Sequence, residues 1–170
     1  NETLPQALAQ LPAEQRPEVR HQAGMKHIDA ARAAYQRSGV AAQIDAFVDD
    51  MAAAYAWADL VVCRAGALTV AELTAVGVGA ILVPYPHAVD DHQTGNARYL
   101  VHAGAALLIP QTELDADALA ALLRDLFADR PRLLRMAEAA RALARPEAAR
   151  VVAEHCLQLA GRAPRLENAA

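Results

Sequence analysis

Aromatic residues are scarce in this chain: they make up 4% of its 170 residues, against 55% hydrophobic residues. A core rich in apolar side chains but poor in rings must be built from alanine, leucine and valine. That composition suits helices packed on a buried sheet better than an all-β sandwich. Cysteine is also rare, with 2 in the sequence. Cys63 and Cys156 lie far apart and in no CxxC or zinc-type spacing. They read as two reduced thiols in a cytosolic protein rather than as a disulfide framework or metal ligands. No apolar run reaches the roughly 18 to 20 residues that span a bilayer, and no basic-then-apolar leader marks secretion. A net charge of -4 gives no general attraction for nucleic acid, so none is expected as a partner. The chain starts at Asn1, inside what reads as a structural unit, and is expected to be part of a longer protein.

What is present is an alternation of strand and helix. Residues 3–11 read as a short helix, 18–21 as a strand and 26–37 as a helix that Ser38-Gly39 closes. Residues 43–48 alternate like a strand and stop at Asp49-Asp50, before a short helix over 51–58. The continuous apolar run at 60–63 is expected to be a parallel strand covered on both faces. It leads through Arg64-Ala65-Gly66 into a helix ending near Val76. A buried strand at 79–84, a helix over 92–102 and a last strand at 105–109 follow, with Pro110 interrupting the strand. Three further helices are expected near 115–127, 131–144 and 147–160, and the tail at 161–170 reads as mobile. The alternation predicts one α/β domain over 1–160, a Rossmann-like parallel sheet with right-handed crossovers and helices on both faces.

Ligands of open α/β sheets bind beyond the carboxyl ends of the strands, where helix N-termini present unpaired N–H groups. After the strand at 60–63, Gly66 and the small residues around it let a ligand approach the backbone, and the emerging helix would favour a diphosphate. The Glu72 carboxylate can accept hydrogen bonds from the vicinal hydroxyls of a ribose, although Thr69-Val70-Ala71-Glu72 equally spells a capping box. After the strand at 79–84, Gln93 and Asn96 share one helix face and suit sugar hydroxyls. There too a local reading stands beside the functional one, with Asp90 as cap and Gln93 closing a second box. Asp90-Asp91 is too sparse for a metal site, and His87 and His92 read as loop or packing residues rather than catalysts. Arg64 reads equally as a phosphate contact and as a packing residue, and Phe47-Val48-Asp49-Asp50 by itself is a strand end and a helix cap.

Taken together, HQAG at 21–24, FVDDMAAAYAWADLVVCRAGALTVAE at 47–72, VPYPHAVDDHQTGNA at 83–97 and AG at 103–104 resemble the bacterial UDP-N-acetylglucosamine transferases that convert lipid I to lipid II. The resemblance covers residues 1–160 and implies the C-terminal, donor-binding half of a GT-B glycosyltransferase. It implies UDP-N-acetylglucosamine or UDP as ligand, with Val48 at the uracil and Ala67, Leu68, Thr69, Val70, Ala71 and Glu72 wrapping the nucleotide. Glu72 would lie on the ribose, Gln93 on the N-acetylglucosamine and Asn96 beside it, with Gly66 and Arg64 as further candidates. The reaction implied is transfer of the sugar, with inversion, to the muramyl 4-hydroxyl of lipid I, at the inner face of the plasma membrane. No metal, no cofactor and no catalytic residue is implied for this chain.

The family also places a glycine-rich loop, and the strand leading into it, just before the helix at 3–11, and this chain has neither. In a sheet of order 3-2-1-4-5-6 that strand is the central one. Its absence predicts two unpaired edges at 18–21 and 60–63, through which copies of the chain would associate. The acceptor site, the base and the membrane contact are expected in an N-terminal domain that this chain also lacks, so the chain alone is expected not to catalyse transfer. Other readings are a donor-binding subunit of a two-chain glycosyltransferase, a relative acting on another lipid or natural-product acceptor, and a UDP-binding module without turnover.

Overall fold

Each apolar run followed by a tight turn becomes a strand that feeds a helix, and the computed structural model describes this alternation over residues 1–161, with Val89 described by its backbone alone. Strands β1 (Arg20–Gln22) and β2 (Gln43–Asp45) pair in parallel, with His21 opposite Ile44. Strands β3 (Leu60–Cys63), β4 (Gly79–Leu82) and β5 (Ala106–Leu108) form a second parallel sheet in that order. The helices are α1 (Thr3–Ala9), α2 (Ile28–Ser38), α3 (Met51–Trp57), α4 (Ala67–Val76) and α5 (His92–His102), followed by α6 (Ala116–Ala128), α7 (Arg130–Ala142) and α8 (Ala148–Leu159). Gly39 and Gly77, at φ 61 and 80, close α2 and α4 in the left-handed conformation that glycine adopts without a Cβ penalty.

The core has two layers, and β4 divides them. Ile81 packs with Leu8, Tyr35, Leu119, Leu123 and Leu126 on one face. Ala80 and Leu82 pack with Val70, Leu73, Ala97 and Leu100 on the other. This is the period-two alternation of a strand covered on both sides. Helix α7 spans both layers, giving Leu133 and Met136 to the first and Ala140 to the second. Helix α8 has no buried residue.

Among the described residues no strand lies between β1 and β3. Their facing edges bound a slot of about 940 Å³ lined by Leu4, Leu8, Val19, Val61, Leu119 and Leu123 among others. The gap expected between these two strands is therefore present among the described residues. It also corrects one expectation: β4 is buried at every position, whereas β3 is only half-buried throughout, because the slot uncovers it.

Strand boundaries differ from the pattern for related reasons. Ladder pairing of β1 starts at Arg20 rather than at 18 and ends at Gln22. The Ala23 N–H still reaches the Asp45 carbonyl at 2.9 Å, but Gly24 then turns the chain away at φ 83. Residues 46–48 of the expected second strand are left with nothing to pair and form a loop, on which Phe47 is 67% exposed. Short 3-10 turns at Ala13–Gln15, Val89–Asp91 and Gln111–Glu113 fill connections that read only as loops. The expected mobile tail lies, apart from Gly161, outside the described residues.

Candidate functional site

Strands run parallel within each sheet, so the segments that leave β3 and β4 emerge at one end of theirs, and Val48, in the segment that leaves β2, lines the same slot as Cys63 and Arg64. After Cys63 the chain turns through Arg64-Ala65-Gly66. Gly66 is the N-cap of α4, at φ -64 and ψ 150, with no side chain capping the helix. Any residue can adopt that backbone. A Cβ at Gly66 would meet only the Thr69 hydroxyl, at an ordinary 3.5 Å. Neither conformation nor internal packing calls for glycine here, so what its bare Cα leaves open is space in front of the helix. The first intrahelical bond runs from the Val70 N–H to the Gly66 carbonyl at 2.9 Å. The N–H groups of Ala67, Leu68 and Thr69 precede it and form the positive end of a ten-residue helix.

Thr69 stands at the third helical position rather than at the cap, so the Thr69–Glu72 capping box does not form. Glu72 is instead exposed on the second turn, where its Oε2 accepts a hydrogen bond from the Tyr55 hydroxyl at 3.1 Å. Tyr55 comes from α3, and its ring is 8% exposed within the layer that holds Val70 and Leu73. Burial first, and then the bond to Glu72, raises its phenol pKa, so it remains a donor at neutral pH. Cys63 lies nearby. Burial, with the Glu72 charge adding, pushes its thiol up to about 12, which leaves no thiolate for nucleophilic chemistry at neutral pH.

The loop after β4 is fastened by side chains from its neighbours. Arg64 Nη1 donates to the carbonyls of Val83 at 3.1 Å and Pro84 at 3.0 Å, and its Nη2 donates to Gln111 Oε1 at 2.6 Å. Its guanidinium also lies 5.5 Å from the centroid of the Tyr85 ring. These bonds supply the packing contacts of Arg64. Gln93 Oε1 accepts from the Tyr85 N–H at 2.9 Å, and the Asn96 amide donates to the Ala65 carbonyl at 3.0 Å. Gln93 and Asn96 thus tie the start of α5 to the turns leaving β4 and β3. The expected Asp90 capping box is absent. Asp91 holds the N-cap position without capping through its side chain and instead accepts from the Thr94 hydroxyl at 2.6 Å. Asp90 and Asp91 sit at φ 52 and 49, a region that aspartate tolerates better than most residues.

Val48 is half-buried beyond the end of β2, and its N–H donates to Gln22 Oε1 at 2.9 Å. Asp50 caps α3 by accepting from the Ala53 N–H at 2.8 Å. Val48, Tyr55, Arg64 and Thr69 all line the carboxyl end of the slot. Ala67, Leu68, Ala71 and Glu72 are exposed along the start of α4, whereas Val70 is buried in the core and can offer a ligand only its backbone. Tyr55 and Gln22 are neighbours of the candidate residues that sequence spacing does not mark. Among the described residues no three His, Cys, Asp or Glu side chains converge as metal ligands, and no helix is long and apolar enough to cross a membrane.

Comparison with known proteins follows the same outline. Residues 1–153 match the glycosyltransferase family 28 C-terminal domain. The chain is 59% identical to the UDP-N-acetylglucosamine–N-acetylmuramyl-(pentapeptide) pyrophosphoryl-undecaprenol N-acetylglucosamine transferase of Marinobacter nauticus over 160 residues, which are 94% of this chain and 44% of that protein. It is 63% identical to the same transferase of Azoarcus sp., with the same coverage. The chain therefore spans less than half the length of these relatives. Among solved structures, MurG of Acinetobacter baumannii matches with a TM-score of 0.85 at 41% identity, over 92% of this chain and 47% of that one. The glycotransferase of kitacinnamycin, at 24% identity and a TM-score of 0.61, shares the fold. The parallel strands with helices on both faces are the architecture of the C-terminal half of a GT-B glycosyltransferase. With residues 1–153 matched, through the first half of α8, this chain belongs to the glycosyltransferase family 28 C-terminal domain.

Proposed function

We propose that this chain is the donor-binding half of an inverting glycosyltransferase that moves N-acetylglucosamine from UDP-N-acetylglucosamine to the muramyl 4-hydroxyl of lipid I, at the cytoplasmic face of the membrane. The observation that carries the reading is the uncapped N-terminus of α4 behind Gly66, with the Glu72 carboxylate on the following turn. The donor diphosphate lies against the N–H groups of Ala67, Leu68 and Thr69. Glu72 accepts from the ribose hydroxyls, the Val48 backbone meets the uracil, and Gln93 with Asn96 faces the sugar. In the transfer, the acceptor hydroxyl attacks the anomeric carbon from the side opposite the diphosphate, and the anomeric C–O bond breaks with its electron pair leaving on UDP. Negative charge grows on that diphosphate, where the positive end of α4 stabilises it. The acceptor lipid and the base that takes its hydroxyl proton belong to a facing domain, so this chain alone binds donor without turnover. The names of the relatives, which state both donor and acceptor, support the same assignment.

Calorimetric titration of UDP and UDP-N-acetylglucosamine tests this reading. The folded wild-type chain is expected to bind both. Glu72→Ala removes charge-assisted hydrogen bonds and is expected to weaken both by about tenfold or more. A folded wild type that binds neither ligand would sink the proposal.

A further inference from the structure

We infer that Tyr55 is a positioning residue for the donor ribose: its hydroxyl, presented by α3 beside α4, holds the Glu72 carboxylate in the orientation that receives the ribose hydroxyls. The inference rests on the donor-site reading above and adds to it a residue and a basis for selecting ribose. An exposed glutamate is free to sample many rotamers, and binding through it then loses that freedom. Glu72 is an exposed residue, but it is held at Oε2 by Tyr55 at 3.1 Å. The holder is itself fixed, since the Tyr55 ring is buried among Ala65, Val70 and Leu73. Both ends of the bond lie on elements that pack against each other, α3 and α4. An ionised carboxylate has about four acceptor positions, and Tyr55 occupies one of them. Oε1 and the second lone pair of Oε2 are left for two vicinal hydroxyls. The raised pKa of Tyr55 keeps its proton in place for this role.

The alternative is that the bond merely satisfies a phenol at the edge of the core. Tyr55→Phe keeps the ring and removes only the hydroxyl, and two nucleotides separate the explanations. UDP is expected to bind Tyr55→Phe about threefold to tenfold more weakly than wild type. 2′,3′-Dideoxyuridine diphosphate, which has no hydroxyls for Glu72, is expected to bind the two proteins alike. In a Glu72→Ala background, adding Tyr55→Phe is expected to change UDP binding no further. Equal weakening for both nucleotides would assign Tyr55 a structural role only and overturn the proposal. Weakening by Glu72→Ala but not by Tyr55→Phe would overturn it while leaving the donor site standing. If the folded wild type fails to bind UDP, the donor reading falls and this one with it.

Discussion

Replacing Ile81 by alanine is expected to destabilise the domain by about 3 to 4 kcal/mol, measured by urea unfolding. Ile81 is 0% exposed and stands at the middle of β4, opposite Val62 on β3 and Leu107 on β5. It belongs to one buried cluster with Leu8 of α1, Tyr35 of α2, and Leu119 and Leu123 of α6. These three helices would have to move together to refill the space, so most of the cavity should persist and contribute to the loss. Leu134, on the outer side of α7 at 60% exposure, provides the comparison. Leu134→Ala should change stability by less than about 0.5 kcal/mol. Similar small effects at both positions would mean that β4 does not divide the core as described.

The second large effect is expected at Gly77, where Gly77→Ala should cost about 2 to 4 kcal/mol in the same assay, from left-handed strain and overpacking together. Gly77 sits at φ +80, and a Cβ there would lie 2.9 Å from Arg141 Cβ and 3.4 Å from the Ala137 carbonyl oxygen. Arg141 also donates to the Ala75 carbonyl, so the end of α4 is clamped to α7 and cannot easily back away. Gly39 separates the two contributions. It has the same left-handed conformation at φ +61, but a Cβ there would meet nothing within 4 Å. Gly39→Ala should therefore show the backbone strain alone, about 1 to 2 kcal/mol. Equal losses at the two glycines would contradict the close packing of α4 on α7. That packing matters for the site, because α4 carries Ala67 to Glu72 at its other end.

Local chemistry made much of this fold readable from sequence. The 92–102 helix is found at those bounds, and Ser38-Gly39 closes α2 where a left-handed glycine was expected. The gap between β1 and β3 followed from the family resemblance taken together with the strand order it implies. What could not be read locally was decided by partners distant in sequence. A Thr-x-x-Glu pattern looks the same whether or not it begins a helix; here the end of β3 and the turn at Gly66 set the start of α4, and the box at Thr69 is lost. Likewise Asp90 and Gln93 look like a cap and its partner, but the Tyr85 N–H takes the Gln93 carbonyl. Tyr55 carries no local mark of its bond to Glu72, which lies 17 residues away on another helix. Arg64 stayed open for the same reason, since its acceptors come from the ends of two other strands. For Glu72 and Gln93 the proposed roles rest on family resemblance, because spacing alone left a structural reading beside each.

The donor nucleotide is proposed to sit at the N-terminus of α4. Backbone amide resonances of the nitrogen-15 labelled chain, followed during titration with UDP, test it most directly. Saturable shifts are expected, largest at Ala67, Leu68 and Thr69, with smaller ones at Val48 and at Gln93. Saturable shifts that leave the start of α4 untouched, or a folded chain with no shifts at all, would contradict it.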